Sequence, residues 1–335
     1  MIFDFFNKNL ENKSNLNVLV VDPLVGSKIS RKYQHYNYLY NQLSKICNCL
    51  ISKETSFNDI KEIVDKARSK NFNPDIVYFG MGWFALKDEI FKMRFRNSYN
   101  IPLVGFLYKA QNYLKAKLDF LKNNKFSLIV TPLPWVDHYK ESTGIDCKLL
   151  PNAGDSTIFF DRKLEKKYDI GFSGALHDNK LYESGSFKTF NIRSRAQEIL
   201  SEQKGIKSFL NGSDDVKKRI PSYREYAKKI AQCKIWIATP GPYEEIVERY
   251  FEIGMSKTLL FCNEIPEPYK KIFRDGHNCI VFKNDLSDFL EKFYYCLENE
   301  NLIEKIIENS YSEFTNSHSY QSRAITLKKF FELLI

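Results

Sequence analysis

No run in the 335-residue sequence stays apolar for the roughly 20 residues a helix needs to cross a bilayer. No Gly-x-Gly-x-x-Gly fingerprint and no Walker lysine motif occur, which disfavours a dinucleotide-binding fold and a P-loop nucleotidase. Zinc-finger spacing and an RNA-binding aromatic signature are also missing, so no nucleic-acid partner is expected. The seven cysteines are an odd, scattered set without metal-site spacing, and reduced core thiols of a cytosolic protein are the expectation. The N-terminal stretch MIFDFFNKNLENKSN turns polar too early for a secretory signal, which makes the cytoplasm the expected compartment. Neither a short-period repeat nor a low-complexity tract interrupts the chain.

What is present reads as a soluble globular protein: 43% apolar and 27% charged residues, with 27 Phe and 20 Tyr favouring packed sheets. The length suggests two domains. The net charge of +9 is spread along the chain. It fits phosphorylated substrates or peripheral contact with an anionic membrane, on the inner face, without deciding between them.

The first half alternates strands and helices. NVLVVD (Asn17 to Asp22), PDIVYFG (Pro74 to Gly80), IPLVGFLY (Ile101 to Tyr108) and FSLIVT (Phe126 to Thr131) are apolar runs of the kind buried on both faces of a parallel sheet. Helices are expected over about Ser30–Lys45 and Asn58–Ser69, with a short strand near Cys49. After CKLLPNAGDSTIFF the pattern restarts with YDIGFSG (Tyr168 to Gly174), GIKSFLNG, a helix after Pro221, KIWIATPG (Lys234 to Gly241) and HNCIVF. A basic helix surrounds Arg193 and Arg195, and three helices close the chain, near 285–297, 302–314 and 322–334. The resulting expectation is a two-domain α/β protein with a domain at 1–150, a linker at 151–165 and a domain at 166–318.

Ligands of open parallel sheets bind at the carboxyl ends of strands. Ser173 and Gly174 end one such strand, where small residues let backbone N–H groups approach a phosphate; a ligand-free tight turn is the plain alternative. TPGPYEE, Thr239 to Glu245, places Pro240 and Gly241 in a sharp turn before a helix expected to carry Glu244, Glu245, Glu248, Arg249 and Glu252. Arg249 and Glu252 are three apart and share a helix face. A carboxylate there can take both ribose hydroxyls, and an arginine can neutralise a diphosphate; a solvated surface ion pair is the alternative. In the first half, Asp22 and His35 are candidate bases, with a turn carboxylate and a polar helix residue as their plain readings. Gly26 is a candidate opening for an acceptor, His138 reads as a helix-surface residue, and His177 and Lys180 are candidates to reach a phosphate from the C-terminal side.

The segment RYFEIGMSKTLL, Arg249 to Leu260, resembles the R-x-F-E pattern of the spore-maturation CgeB-like glycosyltransferases, relatives of the group 1 glycosyltransferases. YDIGFSGAL, YREYAKKIAQCKIWIAT, IFRDGHNCIVFKNDLSDFLEKFYYCLEN and NSHSYQSRAITL resemble further segments of that family in the same order, over about residues 148 to 330. The resemblance implies a GT-B fold, two Rossmann-like domains facing a cleft, with the donor nucleotide on the C-terminal one and helix 319–335 returning to the first domain. It implies a metal-independent transferase without cofactor, moving a sugar from a nucleotide-sugar donor to a glycan, lipid-linked or protein acceptor, as in cell-surface polysaccharide biosynthesis. By position, Glu252 would bind the ribose, Arg249 the diphosphate or Glu252, and Glu244, or Glu245 in its place, the donor sugar. Ser173 and Gly174 would approach the phosphates, with Tyr223 and Asn211–Gly212 near the base or ribose. Lys109 stands where the wider family often has an acid, so no acid role carries over there. No Asp-x-Asp ends an apolar strand, in keeping with metal independence. A non-hydrolysing sugar-nucleotide epimerase of the same fold and a two-lobed ligand-binding protein are the alternatives.

Overall fold

The computed structural model describes residues 3–5, 14–26, 35–110, 112–176, 191–241 and 244–335. The chain divides into two units, Met1–Pro151 with Tyr320–Ile335, and Asn152–Ser319. Each is built on its own sheet, one of seven strands and one of five among the described residues.

The first unit contains β1 (Phe3–Phe5), β2 (Asn17–Val21), β3 (Asn48–Ser52), β4 (Ile76–Phe79), β5 (Leu103–Phe106), β6 (Leu128–Thr131) and β7 (Cys147–Leu149) in the order β1-β3-β2-β4-β5-β6-β7. All neighbours are parallel except β1, which pairs antiparallel with β3 at the edge. The β4, β5 and β6 strands are buried at every position, as expected where helices cover both faces. The helix Ile60–Arg68 starts where Asp59 and Glu62 form a capping box, Asp59 accepting from Lys61 N and Glu62 from the backbone of Asp59. The short edge strands β1 and β7 carry too few residues to show a period in the sequence.

The C-terminal helix Tyr320–Glu332 is part of this first unit. It packs on the helix His35–Ile46, with the Tyr38 and Tyr320 rings 5.3 Å apart, and Phe331 meets Tyr78 of β4 at 5.3 Å. Arg323 Nε donates to the carbonyl of Pro151 at 2.8 Å, tying this helix to the end of β7's segment in the same unit.

The second unit contains β8 (Tyr168–Gly174), β9 (Ser208–Gly212), β10 (Cys233–Ala238), β11 (Leu259–Asn263) and β12 (Ile280–Phe282), all parallel, in the order β12-β11-β10-β8-β9. Its core joins Ile170, Phe172, Ile235, Ile237, Leu259 and Phe261 of the sheet to Phe289 and Phe293 of the helix Phe289–Glu298. All seven cysteines are buried. No helix among the described residues is long and apolar enough to cross a membrane.

Candidate functional site

In the second unit the chain leaves β8 toward β9 on one side and returns to β10 on the other. Strand order reverses between β8 and β10, and the crevice outside their carboxyl ends is the ligand position that this topology creates. Arg193, on the helix Asn191–Ser201 and only 7% exposed, clips the two strand ends together. Its Nη1 donates to Ala175 O at 2.9 Å, its Nε to Thr239 Oγ1 at 2.5 Å and its Nη2 to Pro240 O at 3.0 Å. The sequence shows a basic helix there but nothing that assigns this role, because the partners are 18 to 47 residues away.

The helix after β10 is shorter than its charge pattern suggests. It spans Arg249–Met255, so Glu244 and Glu245 precede it and Glu244 does not sit on a helix face with Glu252. Gly241 N closes a turn on Glu245 O at 2.7 Å, and Glu244 has φ +57°. A left-handed residue cannot continue a right-handed helix. Glu244 is exposed, whereas Glu245 is buried and accepts from Asn152 Nδ2 at 3.3 Å. Pro240 and Gly241 are buried at the strand end.

Arg249 and Glu252 both stand on this helix, beside the crevice. Glu252 is 6% exposed, and its carboxyl group has no hydrogen-bond or ion-pair partner among the described residues. Burial first, then Glu248 and Asp155, push its pKa well above the usual carboxylate range, and Arg249 offsets only part of that. Glu248 Oε1 and Arg249 Nη1 are likewise buried without a partner among the described residues. Arg249 Nε donates to Tyr226 Oη at 2.8 Å. Its guanidinium lies against Gly174, where a Cβ would fall 2.6 Å from Nη2. The Glu252 carboxyl group, one oxygen of Glu248 and one nitrogen of Arg249 are thus held out of water with hydrogen-bonding capacity to spare among the described residues, a costly state for a folded protein on its own.

The neighbouring strand ends are more self-contained. Ser173 is buried, and its Oγ lies 3.3 Å from Asn211 Oδ1, while Asn211 Nδ2 donates to Lys218 O at 3.1 Å. Gly212 N donates to Gln197 Oε1 at 3.0 Å. Tyr223 opens the helix Tyr223–Ala231 and meets Phe159 edge-on at 6.2 Å.

The acceptor-side candidates lie in the first unit. Asp22 follows β2 at the corresponding reversal, between β2 and β4, and is fully enclosed at 0% exposure. Its oxygens accept from Tyr40 Oη at 2.5 Å, Gly82 N at 2.8 Å and Leu24 N at 3.0 Å. A carboxylate so enclosed braces two strand ends, which is the turn-forming role. Burial raises its pKa to about 6, against the hydrogen bonds from Tyr40 and Gly82. The folded state therefore holds this proton more tightly than the unfolded chain. Its stabilising contribution is complete below about pH 4 and declines as pH rises to about 6. Relative to Asp22→Asn, the wild-type protein should lose about 2 kcal/mol of unfolding free energy between pH 4 and pH 7. Urea titrations of both proteins across that range measure it.

Gly26 is exposed with φ +70°, and a Cβ there would lie 3.5 Å from Lys53 Nζ. Lys109 has φ +52° and turns its carbonyl to Lys117 Nζ at 2.9 Å. His35 begins the helix His35–Ile46, and its side chain lies outside the described part of the structure, as do His177 and Lys180. His138 stands beside Trp135, ring centroids 6.4 Å apart. The residues to which the sequence assigned no role at these strand ends are Tyr40, Arg193, Tyr226 and Glu248, whose Oε1 has no partner among the described residues.

Residues 188–329 match a family described as glycosyl transferase-like. None of the curated proteins matches the chain significantly. Among solved structures, Anabaena HepE in complex with UDP and glucose is similar at 11% identity and a TM-score of 0.55, over 95% of this chain and 100% of that one. A glycosyltransferase from Rickettsia africae is 15% identical with a TM-score of 0.58, over 96% and 99% of the two chains. Sucrose-phosphate synthase from Thermosynechococcus elongatus is 8% identical with a TM-score of 0.61, again over 96% and 99%. The chain therefore has the GT-B fold, two parallel-sheet α/β domains, and over residues 188–329 it matches the glycosyl transferase-like family.

Proposed function

We propose that this protein is a glycosyltransferase moving a sugar from a nucleotide-sugar donor to a glycan, lipid-linked or protein acceptor. The observation that carries the reading is the buried Glu252 carboxyl group and the buried Arg249 Nη1, both without a partner among the described residues, at the strand-order reversal of the second unit. A ribose diol satisfies a carboxylate, and a diphosphate satisfies a guanidinium. In the transition state the glycosidic bond to the diphosphate lengthens and negative charge grows on the leaving oxygen. Arg249 is placed to stabilise that charge without solvent reorganisation. Glu248, whose Oε1 is buried without a partner among the described residues, is available to the donor sugar, a position the exposed Glu244 is less suited to.

HepE was solved with UDP, which makes UDP the first nucleotide to titrate. Calorimetric binding of UDP, followed by UDP release from UDP-glucose only when an acceptor is added, supports transfer. Conversion of the donor without acceptor points to epimerisation, and no binding of any nucleotide overturns the donor site. The reading includes a cytoplasmic location, at an anionic membrane surface where the acceptor is lipid-linked, in keeping with the net charge of +9. It also includes metal independence: turnover should persist in excess EDTA. Complete loss restored by Mn²⁺ would show that a metal, and not Arg249 with the backbone, carries the leaving diphosphate.

A further inference from the structure

The guanidinium of Arg249 sits at the end of a long rotatable side chain, yet its setting is specific. Nε donates to Tyr226 Oη at 2.8 Å, and the ring of Phe172 lies 6.0 Å from Cζ. The two Nη atoms lie against Gly174, and Nη1 is buried and unpaired among the described residues. Tyr226 is itself anchored. Its helix Tyr223–Ala231 begins at Ser222, whose Oγ accepts from Glu225 N at 3.2 Å. Its ring meets Trp236 edge-on at 5.7 Å and Phe159 at 6.0 Å. Burial raises the phenol well above its ordinary pKa, so the oxygen that receives Nε belongs to a neutral hydroxyl at physiological pH.

A guanidinium gripped at Nε keeps its plane and its Nη edge fixed, and that edge is the one that pairs with phosphate oxygens in a fork. Gly174 lets the β8 backbone approach this edge, so the unpaired Nη1 is held at the strand end where the crevice opens.

We propose that Tyr226 is a positioning residue for diphosphate recognition, presenting the Arg249 fork to the donor's phosphates and so setting the preference for nucleoside diphosphate over nucleoside. The proposal rests on the reading that Arg249 meets the diphosphate. Tyr226 touches no reacting atom. Its contribution passes through Arg249, and the two residues form one unit.

A double-mutant cycle tests this. UDP and uridine are titrated calorimetrically into the wild-type protein, Tyr226→Phe, Arg249→Met and the double variant, with melting temperatures measured alongside. Tyr226→Phe should lower UDP affinity about tenfold and leave uridine affinity within about twofold. In the Arg249→Met background it should cost UDP nothing further. A Tyr226→Phe protein that binds UDP like wild type, while Arg249→Met loses it, overturns the proposal and leaves the donor site standing. Equal loss of UDP and uridine, or a tenfold loss that persists in the Arg249→Met background, also overturns it, by making Tyr226 a structural residue. A wild-type protein that binds neither ligand overturns the donor site and the proposal together.

Discussion

Glu252→Gln is expected to weaken UDP binding by about 10- to 100-fold while raising the melting temperature of the second unit. The loss follows from chemistry: an amide keeps one acceptor oxygen where a carboxylate offers two to a diol. The gain follows from electrostatics. Burial, Glu248 and Asp155 hold the Glu252 pKa well above its ordinary value, so the folded state binds this proton more tightly than the unfolded chain. Such a group contributes fully below about pH 4 and loses that contribution as pH rises toward the raised folded value. A neutral amide escapes the penalty, and the stabilisation should grow with pH. For the same reason UDP binding to the wild-type protein should strengthen as pH rises and release protons, measurable by calorimetry in buffers of different ionisation enthalpy. Arg249→Met should reduce UDP binding at least tenfold and spare uridine. If Glu252→Gln melts lower and binds UDP like wild type, the residue is structural.

Gly174→Ala should damage both binding and stability. Its φ of +141° belongs to a region that side chains strongly disfavour. The new Cβ would also fall 2.6 Å from Arg249 Nη2 and 3.1 Å from Nη1, and that guanidinium is buried and tied to Tyr226. Displacing it should cost about tenfold or more in UDP affinity, and the strain about 1–3 kcal/mol of stability. Gly205→Ala is the control, because Gly205 also has a positive φ, +79°, but its Cβ would meet nothing within 4 Å. It should lose stability alone. Equal UDP affinity in Gly174→Ala and wild type would remove Arg249 from the diphosphate site.

Much of the architecture is legible because a strand buried on both faces must be apolar along its length. The runs at Asn17–Val21, Ile76–Phe79, Leu103–Phe106 and Leu128–Thr131 each became a parallel strand. The three-residue edge strands Phe3–Phe5 and Cys147–Leu149 were not legible, since a lone short strand has no period to detect. The helix Arg249–Met255 looked longer because acidic residues at 244, 245 and 248 imitate a first turn. Glu244 instead has a left-handed backbone.

The sequence by itself determined the parallel α/β class, the restart that makes two sheets, and the placing of Arg249 and Glu252 three apart at a strand's carboxyl side. These are matters of periodicity and local spacing, and local spacing is written into the chain. Only the tertiary structure decided what those side chains meet. Tyr226 reaches Arg249 across 23 residues, and Arg193 reaches Thr239 across 46. It also decided that Asp22 is enclosed by Tyr40 and Gly82, and that Glu252 is buried with its carboxylate unpaired among the described residues. Burial and orientation arise from contacts between segments far apart in sequence, and those contacts set the electrostatics on which a charged site depends.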